Sequence, residues 1–160
     1  VSKILRDPTN IRIYDKLNKS LADEGDITRD LKKTKKSSHY GWWATPTAEI
    51  SEVQGDKYQI KDANEFFNNK DVQKLLKRSY EAFEKFFSND IKKGKVIIKK
   101  IAKSDKKLKL DSDDIKDIKD IVRFYKSLKL AKSSIQKGSE FHKDVVKMFD
   151  RLFPDESASA

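Results

Sequence analysis

Residues 72–87 run Val72-Gln73-Lys74-Leu75-Leu76-Lys77-Arg78-Ser79-Tyr80-Glu81-Ala82-Phe83-Glu84-Lys85-Phe86-Phe87. Val72, Leu75, Leu76, Ser79, Tyr80, Phe83, Phe86 and Phe87 recur at steps of three and four. At about 100° per residue that spacing lines them along one side of a helix, with Lys85 on the other. A continuous apolar stripe of this length predicts a central core helix, and it sets the expectation of an all-α fold.

The neighbouring segments carry helix punctuation. Asp62-Ala63-Asn64-Glu65 has the spacing of a capping box directly before Phe66-Phe67, and Asn68-Asn69 breaks the short helix that it starts. Further upstream, Ile11, Tyr14, Leu17 and Leu21 predict a helix from Ile11 to about Asp23, capped by Thr9 or Asn10 and stopped by a left-handed Gly25. A short turn is expected around Ile27 and Leu31, followed by an exposed basic linker at 32–38. Thr45-Pro46 reads as a helix start with Ile50 and Val53 facing inward as far as Gly55, and Tyr58 and Ile60 as a brief extended piece.

Downstream, Lys95-Val96-Ile97-Ile98-Lys99-Lys100-Ile101 lacks the strict alternation of a strand. On a helix, Ile91, Ile97, Ile98, Ile101 and Ala102 share one side and the lysines the other, so 89–103 is predicted helical despite Gly94. Asp111 is a candidate cap for a helix carrying Ile115, Ile118, Ile121, Val122, Tyr125 and Leu128. Ser139 precedes a last helix with Phe141, Val145, Met148, Phe149 and Leu152 spaced for burial and Pro154 as its stop. Gly138-Ser139-Glu140-Phe141 admits two readings, a Gly stop followed by a Ser cap or the scar of two adjacent cloning sites. The expected architecture is a compact, bundle-like single domain of about six helices over 1–154, with a disordered tail at 155–160.

Charge is unevenly spread. Lys and Arg number 36 against 26 Asp and Glu, a net of +10. Between residues 91 and 110, Lys92, Lys93, Lys95, Lys99, Lys100, Lys103, Lys106, Lys107 and Lys109 face a single acid, Asp105, for a local net of +8. Arg29, Lys32, Lys33, Lys35 and Lys36 against Asp30 add +4 over 29–38, which leaves the rest of the chain at −2. Dense lysine blocks are the footprint of a polyanion-binding surface, because neutralising phosphates releases counterions. The competing reading is a solvated helix face plus a linker. Arginine is confined to Arg6, Arg12, Arg29, Arg78, Arg123 and Arg151. Lysine is a point charge and does not fork onto base edges, so the expected contacts are to nucleic-acid backbone and not sequence-reading.

Other chemistry is poorly supplied. The chain has no cysteine, hence no thiolate zinc site, thiol nucleophile or disulfide, which fits a reducing compartment, cytoplasmic or nuclear. His39 and His142 each lack a histidine four residues away, and the isolated glycines form no phosphate-binding loop. Asp111-Ser112-Asp113-Asp114 lacks the later glycine and glutamate of a calcium loop. No apolar run approaches the ~18 residues of a membrane span. The expectation is a non-enzymatic module, possessing neither metal nor cofactor and not membrane-bound, that acts within a larger protein or assembly.

His39-Tyr40-Gly41-Trp42-Trp43 gathers both tryptophans of the chain. Buried, they close the core. Exposed beside Lys35 and Lys36, Trp42 and Trp43 would stack on unpaired bases or anchor a partner protein. The nucleic-acid candidates are therefore Lys32, Lys33, Lys35, Lys36, Lys92, Lys93, Lys95, Lys99, Lys100, Lys103, Lys106 and Lys107. The partner-protein alternative rests on Trp42, Trp43 or the last helix.

Overall fold

A computed structural model of the chain describes residues 4–33, 40–51, 54–103 and 118–154, with the side chains of 90, 93–103 and 118 outside that description. Among the described residues there are seven helices and no strand: α1 (Pro8–Leu21), α2 (Asp26–Lys33), α3 (Gly41–Ala44), α4 (Ala63–Phe67), α5 (Lys70–Lys103), α6 (Ile118–Ser134) and α7 (Glu140–Leu152). The all-α, bundle-like expectation holds.

Helix α5 organises the rest. Its 34 residues span about 51 Å at 1.5 Å per residue, and it touches every other helix. The two segments read separately in the sequence, 72–87 and 89–103, are one uninterrupted helix. Val72, Leu76, Tyr80, Phe83, Phe87 and Ile91 are buried on it, while Lys85 is exposed. Asn69 Oδ1 accepts from the Val72 amide at 3.0 Å, satisfying one of the free donors of the first turn. The expected inner positions Ile97, Ile98, Ile101 and Ala102 lie outside the described side chains.

Two expected caps are present. The Asp62 carboxylate accepts from the Glu65 amide at 3.0 Å, and Ser139 Oγ from the His142 amide at 3.3 Å. Gly138 adopts φ +88°, so a glycine stop followed by a serine cap accounts for 138–141. Phe141, Val145, Met148, Phe149 and Leu152 are all buried against α5 and α6. Tyr125, Phe149 and Phe153 form a ring cluster with centroids 4.9–5.7 Å apart. The apolar face of α7 is thus used inside the bundle.

Elsewhere the sequence reading needs correction. Helix α1 starts at Pro8 and is capped by Asp7, whose carboxylate accepts from Thr9 and Asn10, in place of the expected Thr9 or Asn10 cap. Its inward face is Asn10, Ile13, Leu17, Ser20 and Leu21, so Ile11 points outward. Gly25 is not a left-handed stop. It sits where a Cβ would fall 2.3 Å from the Ser20 carbonyl oxygen, which makes it a close-approach glycine. The supposed turn at 27–31 is helix α2, burying Ile27 and Asp30, and it takes Lys32 and Lys33 out of the expected linker. Residues 34–38 of that linker, Asp111 and the 155–160 tail lie outside the described residues.

The expected helix after Thr45-Pro46 is absent. Thr45 instead ends α3: its amide and its Oγ1 both donate to the Gly41 carbonyl, at 3.0 and 2.9 Å, so the residue closes one helix and does not open another. Pro46 begins a loop with two isolated bridges, Thr47 to Gln59 and Ser51 to Gly55, the latter turning at a positive-φ Gly55. Ile50 is 68% exposed, and Val53 is outside the described residues. Tyr58 and Ile60 return the loop to the core.

Buried polar groups staple the short elements. The Glu65 carboxylate accepts from the Arg6 amide, the Asp7 amide and Asn10 Nδ2, at 2.7–3.3 Å, holding the start of α1 on α4. Asn68 donates to the Ser134 carbonyl and accepts from the Gln136 amide, tying α4 to the end of α6. Ser79 Oγ donates to the Ala44 carbonyl at 2.6 Å, and Tyr80 and Ser127 share a hydrogen bond of 2.8 Å.

Phe83 packs edge-on against Tyr40, Phe86, Phe87 and Phe124 and is fully buried. Replacing Phe83 with Ala is expected to cost about 3–5 kcal/mol through lost transfer energy and the cavity left behind. Lys85→Ala, on the exposed side of the same helix, should change stability by less than about 0.5 kcal/mol. Chemical denaturation of the two variants measures the difference, and equal midpoints would contradict the central role of the stripe.

Candidate polyanion interface

The lysines singled out in the sequence fall into three groups. Lys32 and Lys33 occupy the last turn of α2 and are exposed. Lys92 is exposed on α5, and the backbone of Lys93, Lys95, Lys99, Lys100 and Lys103 is helical to the end of that helix. Lys35, Lys36, Lys106 and Lys107 lie outside the described residues, as does His39.

Trp42 and Trp43 are neither sealed in the core nor free of it. Both are partly buried, with ring centroids 6.3 Å apart. Trp43 Nε1 donates to Ser20 Oγ at 2.7 Å, and its ring lies 5.2 Å from Tyr58. Lys16 Nζ sits 5.5 Å from the Trp43 centroid, a cation held over the negative face of the indole. Trp42 has the Arg123 guanidinium 5.6 Å from its own centroid. Each tryptophan is therefore bracketed by the domain and by a cation.

Arg123 also pairs with Asp120 at 3.4 Å, and both side chains are about three-quarters buried, at 25% and 20% exposure. Burial lowers the Arg123 pKa, an effect that the Asp120 and Glu49 charges oppose. Gly41 permits this pair to lie against α3, since a Cβ there would stand 2.8 Å from Arg123 Nη1 and 3.0 Å from Asp120 Oδ1. Next to it, the buried Tyr40 hydroxyl donates to Asp30 Oδ2 at 2.6 Å. The bond closes the chain between the end of α2 and the start of α3. Burial, and then the Asp30 carboxylate, drive the Tyr40 phenol far above its ordinary range.

Compared with protein-family models, curated proteins and solved structures, the chain matches none. The site therefore has to be read from its own chemistry. No group of three or more His, Cys, Asp or Glu residues among the described residues could hold a metal ion. No helix among them is long and apolar enough to cross a membrane.

The sequence reading missed a second set of cations. Arg12, Lys16 and Lys57 are exposed, and Arg12 Nη1 donates to the Lys57 carbonyl at 2.9 Å, docking the 46–60 loop on α1. Lys57 Nζ in turn lies 5.5 Å from the Tyr58 centroid. Nothing in the sequence brings Lys57 to the other two, because Arg12 and Lys16 share α1 while Lys57 comes from a loop 45 positions beyond Arg12. The available signal was the like-charged pair Arg12 and Lys16 at i and i+4, a spacing that costs a helix a few tenths of a kcal/mol.

Alkaline pH tests the Tyr40 environment. A phenol that stays protonated when folded but ionises near pH 10 when unfolded stabilises the fold fully below pH 10, and this contribution is lost as pH rises above it. The loss amounts to about 1.4 kcal/mol per pH unit for each such tyrosine. Buried Tyr80 is raised in the same direction by desolvation. Denaturation midpoints between pH 9 and 11 should fall less steeply for Tyr40→Phe than for the unmodified chain (a range set about the phenol's ordinary value). Identical slopes would show that Tyr40 ionises freely in the folded protein.

Proposed function

We propose that the chain is a non-enzymatic binding module that docks a polyanion, nucleic-acid backbone in particular, through the lysines of the second half of α5, assisted by those at 32–36 and 106–107. The carrying observation is the helical backbone of α5 continuing to Lys103. On that register Lys92, Lys95, Lys99 and Lys103 follow one another at steps of three and four, the spacing of one helix row, with Lys93 and Lys100 adjoining it.

Mutual repulsion opposes such a row, and a polyanion relieves it. Lysine contacts phosphate as a point charge, which supports backbone binding with little base preference. The alternative is a protein-interaction domain gripping its partner through Trp42, Trp43 or the last helix, and the burial of Phe141, Val145, Met148, Phe149 and Leu152 speaks against the last helix.

Electrophoretic-shift titrations at several salt concentrations test the proposal. The logarithm of affinity should fall linearly with the logarithm of salt, at about 0.9 per phosphate contact on duplex DNA. Changing Lys99, Lys100 and Lys103 together to Gln should flatten that slope and weaken all sequences alike. A slope unchanged by the triple substitution removes these lysines from the interface.

A further inference from the structure

The cations round Trp43 are of a different kind from those of α5, because they surround an aromatic pair. Arg12, Lys16 and Lys19 line a shallow, open depression along α1, floored by Pro8 and the 39%-exposed Ile11, with Asp15 as its one acid. Lys57 is brought to the same side by its carbonyl's hydrogen bond to Arg12. Among the described residues none of these four cations is paired with a carboxylate, whereas Lys61 pairs with Asp56, Lys126 with Glu49 and Arg151 with Glu84. Arg12 uses one guanidinium N–H on the Lys57 carbonyl and carries five in all.

We propose that Arg12, Lys16 and Lys57, set around Trp43 and Tyr58 with Lys19 one helical turn on, form a second nucleic-acid face that holds phosphodiester oxygens. This face shares with the proposed function only the class of ligand, and it is built from residues separate from the α5 lysines. An acidic peptide offers carboxylates alone. A nucleic acid offers anions alternating with flat rings, and here unpaired cations stand beside a half-buried indole, which the buried Tyr58 ring backs from the core side. Trp43 is held by its bond to Ser20, so an arriving phosphate that draws Lys16 off the ring changes the indole's surroundings without moving the indole.

The test is the emission of Trp43 in a Trp42→Phe chain titrated with oligothymidylate at low salt, with far-UV circular dichroism confirming the fold. The expected result is a saturable change in emission. It should need about tenfold more oligonucleotide when Arg12, Lys16 and Lys57 are changed together to Gln, and should persist when Lys99, Lys100 and Lys103 are changed instead. If Trp42→Phe fails to fold, the same titration is run on the unsubstituted chain against Trp43→Phe, which must abolish the change. An emission that ignores the oligonucleotide, or a response that survives the Arg12, Lys16 and Lys57 substitutions, overturns the proposal. An equal response to polyglutamate overturns it as well, and assigns the face to an acidic protein. A salt slope left unchanged by the Lys99, Lys100 and Lys103 substitutions, with the Trp43 response intact, would sink the proposed α5 interface and leave this face standing.

Discussion

Phe83 is where the bundle is held together. It has no exposure to solvent, and its ring meets Tyr40 at the start of α3, Phe86 and Phe87 on its own helix, and Phe124 on α6, at centroid distances of 5.6–6.0 Å. All four contacts are edge-to-face, the arrangement that sets a positive ring edge against a negative face. Three segments far apart in the chain thus converge on one side chain. Helix α5 is the axle because it alone presents a stripe long enough to meet all the others.

A chain in which charged residues, at 39%, outnumber apolar ones, at 36%, has little material for a core, and aromatic rings make up the deficit by burying large areas apiece. The short helices cannot stand on packing alone. Helices α3 and α4 have four and five residues, and each is secured by buried polar bonds to a longer element: Ser79 to the Ala44 carbonyl, Glu65 to the start of α1, Asn68 to the end of α6. Each such bond satisfies a backbone group that a helix end would otherwise leave open in the interior.

This division explains what could be read in advance. The stripe on α5, the Asp62 and Ser139 caps and the inner face of α7 were legible because each is a local pattern repeated over several turns or fixed at three-residue spacing. Helices α2 and α3 were not, since neither is long enough to display a period. Thr45-Pro46 carries the composition of a helix start, yet the Thr45 hydroxyl closes the helix before it. Gly25 and Ile11 failed for a related reason: a glycine can serve a positive φ or a close approach, and an apolar residue can lie on either edge of a stripe. Tertiary packing chooses. The lysine blocks were legible as charge, but the Arg123–Asp120 pair under Trp42 was not, because its place depends on where α3 is laid.

The placement of the cations follows from the same shortage of apolar material. Long cationic side chains set their charged ends over aromatic rings at the margin of the core, as Lys16 does over Trp43, Arg123 over Trp42, and Lys132 over Phe149 at 4.9 Å. Each covers a ring and holds a positive charge beside it. Where a carboxylate is also near, as Asp120 is to Arg123, the charge is balanced within the domain. Where none is, as at Lys16, the ring's quadrupole is the only compensation, and that attraction is weak at an exposed site, about 0.5–1 kcal/mol. A cation held so loosely over a ring exchanges it at little cost for a full negative charge. Covering the rings of a small core with lysines is the feature on which the proposed anion face rests.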